Sequence, residues 1–335
     1  MSLSASPGPD VSASAPARPS AFRIWLLASR PATLPAAVAG VAVGLGAALA
    51  VGTPFRLDTA IGCVLVALLL QVAANFANDL SDFRRGADTD ARQGPLRVAA
   101  AGLVTERQLE VAIAVVIVAA GLVGLWLASI GGWVLAALGA LAIIAALAYT
   151  GGPFPYGYRA LGEVFVFVFF GLVAVVGTAY LQALRLDAVF FAAAIPSGAL
   201  ITAILVVNNL RDIPTDTEAG KRTLAVVIGR RWTQVEYAGL LAVAYAVPIG
   251  LVVAWLVSGV AQDRGVTTIP DDAAVLLPLL TLPMARPLLR TVRTFAEPRE
   301  LNPVLKGTAR LSLWFGLLFA LGLGLAGLTA GGPTA

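Results

Sequence analysis

The sequence predicts an all-α membrane protein in which nine transmembrane helices form a single bundle. Composition is the first observation behind this prediction, because 59% of the 335 residues are hydrophobic and only 13% are charged. Soluble domains carry roughly 25% charged residues, so the composition excludes an ordinary soluble domain. The other two observations are the lengths of the apolar stretches and the uneven placement of basic residues between the loops.

The apolar stretches define the predicted helices. At roughly 20 residues per crossing, nine of them are long enough to span a bilayer. They are residues 32–52, 58–78, 108–128, 132–150, 162–183, 188–210, 233–258, 272–290 and 307–330. Residues 1–20 are rich in Ser, Ala and Pro and predict a disordered tail. Residues 21–335 are therefore expected to form a single polytopic domain.

The 23 Lys and Arg residues are divided unequally between the two sides of the predicted bundle. Only three, Arg56, Arg185 and Arg264, lie on the side opposite the N-terminus. By the positive-inside rule, the N-terminus is cytoplasmic and the C-terminus is outside. We therefore expect a multi-pass protein of the cell (plasma) membrane. Topology explains the basic residues, so no nucleic acid is expected as a partner.

Two residue types limit the chemistry. The chain has no histidine, which excludes a histidine general base, a Ser-His-Asp triad and histidine ligation of haem or zinc. The only cysteine, Cys63, lies in an apolar stretch and cannot form an internal disulfide.

Clusters of Asn and Asp stand at the ends of the second and sixth apolar stretches. Asp79 and Asp82 are three residues apart, and Asp212 and Asp216 are four apart, so each pair shares a face if its helix continues through the cluster. A carboxylate is costly in hydrocarbon and calls for a function, and Mg²⁺ prefers oxygen ligands shared with phosphate. Asn75 and Asp79 repeat the spacing of Asn208 and Asp212, which suggests two related halves with motifs at 75–88 and 208–221.

Basic residues accompany both clusters. Those expected to bind a diphosphate are Arg84, Arg92, Arg97, Arg211, Lys221 and Arg222. Arginine grips phosphate oxygens in pairs, and lysine acts as a point charge. A single Asp at the end of a span is often only the start of a solvated loop. Two such clusters, each beside basic residues, favour a site that handles a diphosphate.

Two further features are candidates for binding an acceptor or closing the site. An aromatic loop rich in Gly and Pro contributes Tyr149, Tyr156, Tyr158 and Arg159. Its rings either stack on an aromatic substrate or simply mark the membrane interface. Glu163 is an ionisable residue just inside the fifth stretch, and such a residue is a functional candidate by default.

These motifs resemble those of the UbiA-type intramembrane prenyltransferases, and more narrowly the branch that prenylates 1,4-dihydroxy-2-naphthoate in menaquinone synthesis. The matching segments are Asn78-Asp79-x-x-Asp82-x-x-x-Gly86-x-Asp88, then Arg92-x-Gly94-Pro95-x-Arg97, Asn209-x-Arg211-Asp212-x-x-x-Asp216-x-x-x-Gly220-Lys221-Arg222, and Pro155-Tyr156-Gly157-Tyr158. The general first motif has an Asp where Gly86 stands. Here the Asp falls two residues later, at Asp88, which fits the naphthoate branch.

The resemblance implies a central cavity under a cytoplasmic-side cap, a lateral opening for a lipid tail, and an Mg²⁺-dependent reaction. A polyprenyl diphosphate would lose its diphosphate, and dihydroxynaphthoate would take the prenyl group, lose CO₂ and give demethylmenaquinone. The implied catalytic residues are Asp79, Asp82, Asp212, Asp216 and Lys221. The implied Mg²⁺ ligands are Asn78, Asp79, Asp82, Asp88, Asp212 and Asp216, supported by Asn75, Asn208 and Asn209.

Two alternatives stay open. One is a related prenyltransferase acting on hydroxybenzoate, a tetrapyrrole or a glycerol phosphate. The other is a cation-coupled secondary transporter, whose carboxylates are expected near the middle of the bilayer. Here the carboxylates lie at the ends of the apolar stretches beside basic loops, which favours the enzyme.

Overall fold

The computed structural model describes residues 19–86, 97–261 and 273–330, and the regular structure in them is helical. The helices are α1 Ala21–Ala28, α2 Leu34–Ala50, α3 Leu57–Arg84, α4 Glu106–Gly131, α5 Trp133–Ala148, α6 Gly162–Ala183, α7 Ala188–Glu218, α8 Leu224–Ala261, α9 Ala273–Thr294 and α10 Leu301–Ala330. Short 3₁₀ turns lie at Tyr156–Tyr158 and Pro298–Glu300, and α6 contains a π-helical stretch, Phe167–Val176.

In these residues, seven helices are long and apolar enough to cross a membrane, namely α3, α4 and α6 to α10. The predicted all-helical membrane class is therefore confirmed. The predicted spans at 32–52 and 132–150 correspond to α2 and α5, which have 17 and 16 residues. Both are shorter than the roughly 20 residues of a typical span. Nine crossings, and the cap on one side, thus stay predictions.

Both aspartate clusters lie on unbroken helix. The second predicted span, 58–78, continues as α3 to Arg84, and the sixth, 188–210, continues as α7 to Glu218. The helices therefore persist through the motifs, as the shared-face prediction required. Each motif occupies the last turns of its helix.

Helix α7 forms the centre of the bundle. In its most apolar 18 residues, 72% are buried, a higher share than in the other six long helices. It packs against α8, α6, α10 and α2, while α10 also lies along α2. Close approach needs small residues, and a Cβ added to Gly316 of α10 would lie 3.1 Å from the Cβ of Ala39 in α2. The site thus rests on the most enclosed helix.

Three predicted features lie outside the described residues. They are residues 1–18 of the predicted tail and the side chains of Asp88 and Arg92. Their roles stay predictions.

Candidate active site

The first motif presents two buried carboxylates from the end of α3. Asp79 and Asp82 are each 2% exposed. The Asp79 carboxylate accepts hydrogen bonds from the backbone N–H groups of Val98, at 3.0 Å, and Ala99, at 3.4 Å. The turn that follows residue 97 is thereby fixed against the motif. Backbone donors offset part of the cost of burying this carboxylate.

Asp82 is the most connected residue of the site. It forms an ion pair with Arg97, which is itself buried. Its Oδ1 accepts a hydrogen bond from the Tyr158 hydroxyl at 2.7 Å and lies 3.4 Å from the ammonium of Lys221. Three segments far apart in sequence therefore converge on one carboxylate.

The second motif is held by an arginine that immediately precedes its first aspartate. Arg211 donates from Nε and Nη2 to the two carboxylate oxygens of Asp212, both at 2.7 Å. Arg211 also donates to the side-chain oxygens of Asn208, at 2.9 Å, and Asn302 of α10, at 3.0 Å. A bidentate pair fixes the orientation of the carboxylate as well as its charge.

Lys221 joins the two motifs. Its Nζ lies 3.4 Å from Asp82 of α3 and 3.9 Å from Asp216 of α7. Gly220, with a φ of 69°, ends the turn after α7, and the Lys221 backbone N–H donates to the Asp216 carbonyl at 2.8 Å. This left-handed conformation suits glycine because a Cβ would be strained there. The turn returns Lys221 over the motif that precedes it.

The aromatic loop closes over the same carboxylates. The Lys221 ammonium is in cation–π contact with the Tyr158 ring, with Nζ 4.9 Å from the ring centroid. The backbone N–H of Arg222 donates to the Tyr158 carbonyl at 3.2 Å, which ties the loop to the turn after α7. Burial and the adjacent Asp82 carboxylate raise the pKa of the Tyr158 hydroxyl, so it stays protonated and donates.

The asparagines tie the motif helices to their neighbours. Asn75 donates to the Ser29 carbonyl at 2.9 Å and to the Thr33 hydroxyl at 3.1 Å, which anchors the connection between α1 and α2. Asn209 donates to Oε1 of Glu163 at 2.8 Å, which anchors the start of α6. Each half therefore uses a motif asparagine to hold the start of another helix. A third asparagine, Asn78, accepts from the Thr150 hydroxyl at 2.9 Å.

Several predicted residues lie elsewhere. Arg84 is a surface residue whose side chain pairs with Glu106, at 2.7 Å, and Glu110 on α4. This geometry gives no support to its predicted role at the diphosphate, because the α3 helix turns position 84 away from the aspartate face. Arg159 and Arg222 are exposed, and Arg159 stacks on Phe154. Tyr156 is buried under the loop, where its ring stacks on Phe165.

Sequence reasoning missed Asn302 and Thr150. Asn302 accepts a hydrogen bond from Arg211, which lies 91 residues earlier, and Thr150 donates one to Asn78, which lies 72 residues earlier. The available signal was weak, namely a polar residue at one end of an apolar stretch. Such a residue is also common where no site exists.

Replacing Arg84 by methionine is expected to leave prenyl transfer within about twofold of the wild-type rate and the free energy of unfolding within about 0.5 kcal/mol. The reason is that its two ion pairs are exposed and screened by solvent. Steady-state rates and thermal unfolding in detergent test this. A large rise in the KM for prenyl diphosphate would return Arg84 to the site.

The helices and the contacts between the two motifs define an all-helical membrane protein with a cluster of carboxylates and cationic side chains at the ends of two helices. Its fold matches that of a UbiA homolog from Archaeoglobus fulgidus bound to DMAPP and Mg²⁺, with a TM-score of 0.59 at 14% identity, covering 89% of this chain and 99% of that one. A UbiA homolog from Aeropyrum pernix K1 matches with a TM-score of 0.58 at 16% identity, covering 85% and 96%.

Residues 37–262 match the UbiA prenyltransferase family, and the chain belongs to that family. Its relatives include a 1,4-dihydroxy-2-naphthoate octaprenyltransferase of Mycobacterium tuberculosis, 42% identical over 89% of this chain and 96% of the relative. The Haemophilus influenzae protein of the same name is 37% identical over 90% and 96%. A UbiA prenyltransferase domain-containing protein 1 from Gallus gallus is 31% identical over 90% and 85%.

Proposed function

We propose that this chain transfers a polyprenyl group from polyprenyl diphosphate to 1,4-dihydroxy-2-naphthoate, with loss of diphosphate and CO₂, giving demethylmenaquinol. The observation that carries the proposal is Lys221, which lies against Asp82 of the first motif and Asp216 of the second. The two motifs therefore form one polar site at the ends of two apolar helices. The names of the relatives support this donor and this acceptor.

The donor chemistry of the site fits Mg²⁺. The buried side chains offer oxygen ligands. The Lys221 ammonium lies between carboxylates of the two motifs, so both motifs contact the same cationic group. Among residues 19–86, 97–261 and 273–330, no three acidic side chains are close enough to hold a metal by themselves. Mg²⁺ usually takes only one or two carboxylates and completes its shell with water and substrate phosphate, so such a group is not required.

We propose that the metal ligands are divided between the motifs, with Asp79, Asp82 and Asn78 in the first and Asp212 and Asp216 in the second, so that one ion takes at most two carboxylates. When bound there, Mg²⁺ would neutralise the diphosphate and make it a better leaving group. Arg97 and Lys221 supply fixed positive charge next to the same carboxylates, where departing phosphate oxygens need it. The Tyr158 hydroxyl holds Asp82 in place.

The remaining parts of the protein exclude water and position the reactants. An allylic cation is quenched by water, so the reaction needs a dry pocket. We propose that the apolar helices enclose this pocket and that the loop at Tyr156–Tyr158 caps it. The prenyl chain dissolves in the bilayer while its diphosphate stays at the interface, which is where the motifs end their helices. We further propose nine crossings, a single domain over 21–335 made of two related halves, a cytoplasmic site and the plasma membrane as location.

Incubation of the purified protein with polyprenyl diphosphate, dihydroxynaphthoate and Mg²⁺ tests the proposal. We expect prenylated naphthoquinol and released CO₂, complete loss of both with EDTA, and recovery when excess Mg²⁺ is added. EDTA should stop the reaction because, without Mg²⁺, the carboxylates cannot neutralise the negative charge of the diphosphate. The readouts are product by mass spectrometry and CO₂ from carboxyl-labelled acceptor.

Three results would contradict parts of this proposal. Product formed only with hydroxybenzoate or another acceptor would retain prenyl transfer and reject the naphthoate. Full turnover in EDTA would reject the metal. Absence of turnover with every acceptor, together with cation-driven uptake in vesicles, would favour the transporter.

A further inference from the structure

Glu163 differs from the aspartates of the site in one respect. Each of the carboxylates of Asp79, Asp82 and Asp212 meets backbone N–H groups or a cation. Glu163 is 6% exposed, and its Oε1 accepts from Asn209. Its Oε2 is fully buried, and within the described part of the chain it has no hydrogen-bond partner. An unpartnered buried oxygen of this kind is costly and calls for a ligand.

The position of Glu163 connects it to the reaction site. Its partner Asn209 precedes Asp212 by three residues on α7, which is about 4.5 Å deeper along the helix axis. A group bound at Oε2 would therefore lie about one helical turn from the second motif, toward the middle of α7. That is where the ring of an acceptor must meet the first carbon of the prenyl chain.

Tyr149 borders the same space. The Tyr149 hydroxyl lies 3.7 Å from where a Cβ of Gly162 would be, at the start of α6. The Tyr149 ring is held edge-on against Tyr156, with ring centroids 5.4 Å apart. Tyr149 thus presents a phenol, which can donate or accept a hydrogen bond, at the start of α6 next to Glu163.

This pair of groups selects the chemistry of its ligand. A carboxylate or a phosphate would be repelled by Glu163, whereas a neutral hydroxyl donates to Oε2 and can accept from Tyr149. Resting on the proposed function, we propose that Glu163 and Tyr149 form the subsite for a ring hydroxyl of the acceptor, a hydroxyaromatic acid. The carboxylate of the acceptor then points away from Glu163. The hydrogen bond draws the hydroxyl proton toward Glu163, which increases electron density on the ring oxygen and so activates the ring toward the allylic cation.

Glu163→Gln tests this subsite with little change of shape. Asn209 donates a hydrogen bond, so it selects the amide oxygen of the new side chain and leaves the NH₂ group facing the subsite. The variant thereby replaces a hydrogen-bond acceptor in the subsite with a hydrogen-bond donor. We expect kcat/KM for dihydroxynaphthoate to fall about 10- to 100-fold. Binding of the prenyl diphosphate, measured without acceptor, and thermal stability should stay unchanged.

Acceptors methylated at one hydroxyl or the other make the test specific. One of the two methyl ethers blocks the ring hydroxyl that donates to Glu163. With this acceptor, the kcat/KM values of wild type and Glu163→Gln should differ by less than about threefold, because the interaction is already lost. Equal losses with the parent acceptor and both ethers would overturn the inference. So would weakened binding of prenyl diphosphate with unchanged selection among acceptors.

Glu236→Gln is the matched control. Glu236 is another membrane carboxyl with an unpartnered Oε2 in the described residues, and it lines an outer groove with Trp232 and Val235. It lies close enough to Glu163 for the two groups to interact electrostatically, so it tests whether removing any charge near Glu163 has the same effect. We expect this variant to keep the wild-type preference among the three acceptors, and the same selective loss would overturn the assignment to Glu163. Failure of the proposed function is distinct, since wild type itself would then prenylate no naphthoate.

Discussion

Replacing Asp82 by asparagine is expected to lower kcat for prenyl transfer by at least about 10²- to 10³-fold. The substitution keeps the size of the side chain and removes one negative charge. Arg97 then loses its ion pair with Asp82, and of its two ion pairs within the described residues Lys221 keeps the one with Asp216, 3.9 Å away. With one carboxylate fewer, the site would bind Mg²⁺ less well, and less positive charge would face the diphosphate when it departs. Single-turnover rates with saturating Mg²⁺ measure the effect.

Asp58→Asn is the control for this experiment. Asp58 lies in the first turn of the same helix, α3, with its side chain 56% exposed and 3.5 Å from Arg56. An exposed pair of this kind contributes about 0–1 kcal/mol, so activity and stability should hardly change. Asp82→Asn with more than about a tenth of wild-type activity would contradict the assigned role of the first motif.

Replacing Arg211 by methionine is expected to destabilise the fold by about 3–5 kcal/mol. Arg211 is 2% exposed and is held by Asp212, Asn208 and Asn302. Its removal leaves the Asp212 carboxylate buried without its partner, which costs more than the loss of the hydrogen bonds alone. Unfolding in mixed detergent micelles, followed by circular dichroism, measures the change. Activity should be lost in parallel because Asp212 loses its orientation.

A double variant separates this positioning role from direct binding of phosphate. Arg211→Met combined with Asp212→Asn removes both charges, and we expect it to recover part of the stability while staying inactive. Arg222→Met, at an exposed position, should show neither effect. If Arg211→Met raised the KM for prenyl diphosphate with stability unchanged, Arg211 would be a substrate ligand, as the sequence predicted.

The sequence was sufficient for the helical membrane class because composition and the lengths of apolar stretches report directly on burial in lipid. It also placed Asp79, Asp82, Asp212 and Asp216 on continuing helices, since regular spacing determines which residues share a face. The number of crossings was harder. Helices α2 and α5 are apolar but short, and length alone does not decide how such helices lie.

The orientations of single side chains were the least predictable part of the site. Arg84 and Arg97 both follow the first motif, yet Arg84 meets Glu106 on the surface and Arg97 meets Asp82 inside. Which arginine turns inward depends on α4 and on the turn after residue 97. Those are tertiary contacts, and no local pattern encodes them. Asn302 was missed for the same reason, because only the packed bundle brings it to Arg211.

The contacts of Arg211 also set an order of assembly during synthesis. Arg211 and Asp212 are neighbours, so they can pair as soon as both leave the ribosome, and together they enter the bilayer with no net charge. Asn302 comes 91 residues later, in the last helix. At roughly 5–20 residues per second, the half-formed site waits about 5–20 s for it. Both motifs are therefore made well before the helix that completes the support of the second one.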